Sequence, residues 1–172
     1  MITSEDVEIK KLEGFKAAVL TVEAPFAKLG HEVRRQWKRI EAMLPDEHPL
    51  RLDAEIGYVF SPQWNTDEGD GTMKIKVGVK VSHDTSLPDA VELLEVPTRE
   101  YVILRFEGDR ERLNTIYQDL FAWIDGSGYK AISEEGVYWI EANRLQPVNP
   151  FDIAPEEIDS FDYDICIAVE PA

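Results

Sequence analysis

The sequence predicts an α+β domain made of a duplicated strand-strand-helix-strand-strand half, a βαββ-type unit, and three observations carry that expectation. Val7-Glu8-Ile9 returns as Val91-Glu92-Leu93, 84 residues further on, and the same offset sets Ala18-Val19-Leu20 on Val102-Ile103-Leu104 and Glu23 on Glu107. It also sets Leu29 on Leu113, Trp37 on Phe121, Ile40 on Ile124 and Ile56 on Ile140; self-similarity at a fixed offset marks a repeated structural unit. Each half carries one stretch of helical periodicity flanked by alternating, β-branched runs. Finally, 172 residues with 44% hydrophobic and 30% charged side chains are enough for one packed core.

In order, Val7 to Leu12 and Phe15 to Glu23 read as paired strands broken at Gly14. Phe26, Leu29, Val33, Trp37, Ile40 and Leu44 recur at three- and four-residue steps, an amphipathic helix with Pro25 in its first turn and Pro45 at its end. Asp53 to Phe60 follows as a strand, then Met73 to Val81, which puts Met73, Ile75, Val77, Val79 and Val81 on one face and Lys74, Lys76 and Lys80 on the other. The second half has strands near Val91 to Val96 and Arg99 to Phe106. Its helix carries Leu113, Ile116, Tyr117, Leu120, Phe121 and Ile124, capped by Asp109 and stopped by Gly126 or Gly128. Val137 to Leu145 and Phe161 to Val169 complete it. The reading is a single domain, 1–172, whose halves (about 1–82 and 90–172) are related by pseudo-two-fold symmetry around a central ligand cleft. Ser61 to Thr72, Ser82 to Ala90 and Gln146 to Ser160 are loops, the first and last long enough to wall or lid that cleft.

Composition narrows the function classes. The chain carries 34 acidic against 18 basic residues, a formal charge of −16, which disfavours direct nucleic-acid binding and suits cationic ligands or simply solubility. One cysteine, Cys166, excludes a disulfide framework and fits a reducing compartment. The N-terminus lacks the pattern of a signal peptide and no run is long enough to cross a membrane, so the expectation is a cytoplasmic protein without a membrane partner.

Standard catalytic signatures are missing: there is no G-x-S-x-G, H-E-x-x-H or P-loop. Gly69-Asp70-Gly71 fits neither a dinucleotide nor a calcium loop. His31, His48 and His83 lie in separate segments, and neither metal nor cofactor is expected. Cys166 on an apolar strand reads as a packing residue. In Tyr138-Trp139-Ile140-Glu141-Ala142-Asn143, alternation sends Trp139, Glu141 and Asn143 to one face. If Ile140 faces the helix, Trp139 and Glu141 face the cleft, and the counterpart strand at the 84-residue offset carries Glu55, Gly57 and Val59 on the matching face. On the residues alone, the plainer reading is a solvent-facing glutamate and an ordinary packing tryptophan.

A family resemblance shifts that balance. Tyr101-Val102-Ile103-Leu104-Arg105-Phe106-Glu107-Gly108, Tyr117, Leu120, Trp123, Gly128-Tyr129 and Ile140-Glu141 resemble the GyrI-like family, which includes effector-binding domains of AraC- and MerR-type bacterial transcription activators. The resemblance implies a duplicated fold with a ligand cleft at the pseudo-two-fold axis and a pocket glutamate, which falls on Glu141. Two positions depart from the family pattern: Asn143 stands where an aromatic is common, and Ala168 where a proline is. With no room for a helix-turn-helix, the chain resembles a stand-alone member.

The expected ligand site is therefore Glu141, Trp139, Glu55, Trp64, Tyr101 and Tyr163, with Trp37 assigned to the core. A carboxylate beside aromatic walls suits a lipophilic, aromatic or cationic molecule, as in multidrug binding. Two alternatives stand beside binding. One is a hydrolase of strained or electrophilic compounds, implied by the family, with Glu141 and perhaps Glu55 activating water. The other is a protein-interaction module, gyrase-modulating or regulator-binding, through an acidic face.

Overall fold

The alternating runs resolve into nine strands and the two periodic stretches into two helices, in a computed structural model that describes residues 2–64, 71–82 and 87–172. In chain order they are β1 (Val7–Leu12), β2 (Phe15–Pro25), α1 (Phe26–Met43), β3 (Ile56–Pro62), β4 (Thr72–Val81) and β5 (Glu92–Val96). Then come β6 (Arg99–Gly108), α2 (Arg110–Asp125), β7 (Tyr129–Ala131), β8 (Tyr138–Arg144) and β9 (Phe161–Pro171). The short β7 has no counterpart in the sequence reading; three residues hold too little alternation to register. Pro25 precedes α1 as its cap residue instead of entering its first turn. The side chain of Asp109 accepts a hydrogen bond from Arg112 N at 2.9 Å and so caps α2 as expected, while Gly126 ends it. Residues 65–70 and 83–86, with Gly69, Asp70 and His83 among them, lie outside the described residues.

The sheet runs β1-β6-β9-β8-β3-β4-β2-β5, all pairs antiparallel, with β7 added beside β9. Its connections force a curl. Two residues, Glu13 and Gly14, join β1 at one end of this order to β2 near the other, and Pro97 and Thr98 do the same for β5 and β6. In a flat sheet six strand spacings would separate β1 from β2 by roughly 29 Å; Leu12 to Phe15 spans at most about 11 Å. The ends of the sheet are therefore bent towards one another. Where the two turns meet, Gly14 N donates to Thr98 Oγ1 at 2.9 Å, and a Cβ on Gly14 would stand 2.6 Å from the Val96 carbonyl oxygen, so the crossing requires glycine.

Both helices pack on one sheet face. Val33, Trp37 and Ile40 of α1 cover Ile75, Val77, Val79 and Val81 of β4. Ile116, Leu120 and Ile124 of α2 cover Val102, Leu104, Ile165 and Ile167. Burying each such side chain is worth about 1.5–3 kcal/mol relative to leaving it in water. The inside of the curl is lined by a third cluster that contains no helical residue: Ala17, Val19, Phe60, Tyr101, Ile140, Cys166 and Ala168. Here one condition of the sequence reading fails. Ile140 faces the interior of the curl instead of a helix, and it is Trp139 and Glu141 that point to the helical face.

Residues 146–160 form no strand and lie over that helical face. Two short 3-10 turns, Pro150–Asp152 and Pro155–Glu157, punctuate the segment. Arg34 of α1 donates from Nε to the Ile153 carbonyl at 2.5 Å and from Nη2 to the Pro150 carbonyl at 3.3 Å. Arg110, opening α2, donates to the carbonyls of Pro155 and Ile158. One strap is thus fastened to both helices, and Phe151 and Ile158 are its only fully buried side chains.

Candidate functional site

Glu141 sits at the centre of β8, paired with Val59 of β3 on one side and Ile165 of β9 on the other. Its side chain rises on the helical face beneath α2, where the hydroxyl of Tyr117 donates a hydrogen bond to it. That hydroxyl also lies 2.9 Å from the hydroxyl of Tyr163, whose residue is paired with Asn143 on the neighbouring strand. Trp139, one pleat away on the same face, brings its ring centroid to 6.0 Å from that of Tyr117. A glutamate, two phenols and an indole therefore meet where α2 crosses the sheet.

The electrostatics follow from burial. Desolvation raises the Glu141 carboxyl above its ordinary value of 4.5, and this outweighs the opposing hydrogen bond from Tyr117 and the nearby indole N–H of Trp139. That indole N–H is buried and makes no hydrogen bond of normal geometry, so its effect on the carboxylate is that of an adjacent dipole. Among the described residues no basic side chain helps to hold Glu141 charged. Burial, and then the negative charge of Glu141, push the Tyr117 and Tyr163 phenols well above theirs. Both remain neutral donors at any physiological pH.

The other sequence-predicted residues fall elsewhere. Tyr101 is 2% exposed inside the curl, on the opposite face, where burial pushes its phenol up to about 12. Trp64 packs edge-on against Tyr138 at 5.1 Å, a residue of that same interior cluster. Glu55 is exposed just before β3. Four residues along the strand separate it from Val59, the partner of Glu141, or roughly 13 Å. Glu55 and Glu141 accordingly do not form a carboxylate pair. Cys166 is a buried thiol whose pKa burial pushes up to about 12. Among the described residues, no three His, Cys, Asp or Glu side chains are grouped to hold a metal ion.

Tyr117 joins the Glu141 cluster, although sequence reasoning placed it in the helix stripe and the family motif and not among the expected ligand-site residues. Its signal was available: a phenol within a stripe of Leu and Ile needs a polar partner for its hydroxyl. A hollow of about 670 Å³ lined by Ser4, Val7, Ile9, Ala122, Trp123, Gly126 and Ser127 lies apart from Glu141. The residues that line it carry no titratable side chain.

Comparison with known proteins places this geometry in a group. Residues 5–152 match the profile of the GyrI-like small molecule binding domain. No curated protein matches the sequence. Among solved structures, the C-terminal domain of EcmrR superposes with a TM-score of 0.69 at 14% identity, covering 96% of this chain and 98% of that one. The same fold occupies 57% of the EcmrR chain in its complex with DNA. SAV2435 bound to tetraphenylphosphonium follows at 0.61 and 11% identity, covering 95% and 93%. A hydrolase encoded by lin2189 from Listeria innocua has a TM-score of 0.52 at 8% identity, covering 96% and 92%.

Proposed function

Because the chain belongs to the family of GyrI-like small molecule binding domains, we propose that it holds a lipophilic cation with aromatic groups at Glu141, on the helical face of the sheet. The observation that carries this is a half-buried carboxylate that takes its hydrogen bond from a neutral phenol and, among the described residues, has no cationic partner. A buried charge without a counter-charge is costly; a cation arriving at Glu141 supplies one and makes ionisation favourable. Trp139 and Tyr117 offer ring faces, each worth about 0.5–2 kcal/mol to a desolvated cation. The printed ligand of SAV2435, a tetraaryl cation, has this chemistry.

The same reading treats residues 1–172 as one binding unit made of two related halves. The strand order supports it: exchanging β1 with β5, β2 with β6, β3 with β8 and β4 with β9 reproduces the order from its other end. Glu141 lies beside the middle of that order.

A hydrolytic role rests on the same glutamate. A carboxyl with a raised pKa can take a proton from water attacking an electrophilic ligand. Glu55 stands too far away to assist, so Glu141 would act alone.

Thermal shift with tetraphenylphosphonium, on wild type and Glu141→Gln side by side, tests the binding reading. A ligand at a hundred times its Kd adds about 2.7 kcal/mol of stability. Stabilisation confined to wild type supports it, and equal shifts in both proteins, or none in either, refute it. Product analysis of the same mixtures separates turnover from binding.

A further inference from the structure

Beside Glu141 lies a second aromatic position that is already filled, by a side chain of the protein itself. Gly57 of β3 pairs with Asn143 and is the diagonal neighbour of Glu141 across the β3–β8 pair, about 7–8 Å away. It has no side chain of its own. The space above it is taken by Phe151 of the strap, stacked on Trp37 of α1 at 4.5 Å and 18°. The fit is close: a Cβ on Gly57 would stand 2.7 Å from the Phe151 ring and 3.0 Å from the Trp37 ring. Trp37 is fully buried, and its indole N–H has no hydrogen-bond partner among the described residues.

We propose that this slot between Gly57 and Trp37 is the second aromatic subsite of the ligand pocket, and that Phe151 is its resident occupant, displaced when a ring of the ligand enters. The inference rests on the reading of Glu141 as the cation site. It assigns the ligand's shape: a cationic centre at Glu141 and an aryl group reaching one strand over.

The strap is built to yield the position. It pairs with no strand, and Phe151 enters it on a single 3-10 turn whose Asn149 side chain accepts from Phe151 N at 2.8 Å. Around that turn the polar hold of the helix is on main-chain carbonyls, through Arg34, and further along the strap His31 Nε2 lies 3.1 Å from Glu156 Oε2. Ile158, near the α2 anchor, lies seven residues further on and holds the far end independently. Withdrawal of Phe151 therefore breaks no strand ladder.

Occupancy by an internal ring lowers the apparent affinity by the fraction of molecules in which the slot is open, and minor states of this kind are populated at about 0.1–10%. Titration calorimetry with tetraphenylphosphonium and with tetraethylammonium, a cation without rings, on wild type, Phe151→Ala and Phe151→Leu provides the test. Removing the ring should tighten tetraphenylphosphonium about tenfold or more and leave tetraethylammonium unchanged. In wild type, saturation with tetraphenylphosphonium should speed hydrogen exchange at residues 149–154. Glu141-dependent binding with unchanged or weakened affinity in both Phe151 variants overturns the displacement while sparing the cation site. Tighter binding in the variants without faster exchange in wild type also overturns it, since the ring is then filling an engineered hole. If folded protein of every variant binds neither cation, both readings fail together.

Discussion

Tyr117 and Glu141, 24 residues apart in sequence, meet because the phenol of α2 reaches the middle of β8 and donates into the carboxylate. The bond joins the helix to the strand beside the ring contact of Tyr117 with Trp139. It also fixes the direction of the Glu141 carboxylate beneath the strap.

Ligand affinity should depend on pH through Glu141. Its folded-state pKa is raised, so the charged form is the costly one, and the stability associated with the protonated carboxyl is lost as pH rises through that value. Glu141→Gln is expected to raise the melting temperature at neutral pH, with the gain shrinking as pH falls to 4.5 and below, which differential scanning calorimetry would reveal. Tetraphenylphosphonium binding to wild type should weaken on acidification with a midpoint above the ordinary carboxylate value.

Tyr117→Phe removes the phenol that donates to the half-buried Glu141 carboxylate. A hydrogen bond to a charged group contributes about 1.5–3 kcal/mol, and the carboxyl should become still harder to ionise. The expected outcome is lower stability above pH 7 and an upward move in the pH midpoint of cation binding. Tyr163→Phe, one hydroxyl further away, should show a smaller shift in the same direction.

Gly57→Ala places a methyl group against the Phe151 and Trp37 rings. Overpacking of this kind costs about 1–3 kcal/mol, readable as a lower urea midpoint with an unchanged slope. Glycine is needed here for the close approach of two rings; the backbone itself is ordinary strand.

Asp109→Ala is the control for stability without function. Loss of the cap should cost about 0.5–2 kcal/mol, yet Asp109 lies at the start of α2, more than a full turn from Tyr117. Cation affinity measured well below the melting temperature should stay unchanged.

The order of elements was legible because periodicity records which side of each element is covered. Met73 to Val81 alternated, and Ile75, Val77, Val79 and Val81 are buried under α1. The pairing was not legible, since β1 and β2 read as neighbours yet bond to β6 and to β4 and β5. Alternation reports that a strand has two faces without saying which one a helix covers. In β8 both faces are partly covered, Trp139 by the α2 cluster and Ile140 inside the curl, so the pattern of Tyr138 to Asn143 left the assignment open. The candidate residues scattered for the same reason: Tyr101 and Tyr163 are both buried strand tyrosines, on opposite faces of the sheet. Phe151 went unseen in the site because its loop gives no periodic signal and its partner, Trp37, belonged convincingly to the helix stripe.

The two-residue turns at Glu13-Gly14 and Pro97-Thr98 have a kinetic consequence. By sending β1 across to β6, they place Val7 opposite Leu104, so the earliest strand waits for a partner almost a hundred residues downstream. β3 likewise waits for β8. Chains dominated by such distant pairings pay loop-closure entropy before any contact repays it, and they fold in milliseconds to seconds instead of microseconds. During synthesis the nascent β1 has no native partner until β6 has left the ribosome, and only then can the sheet close on itself.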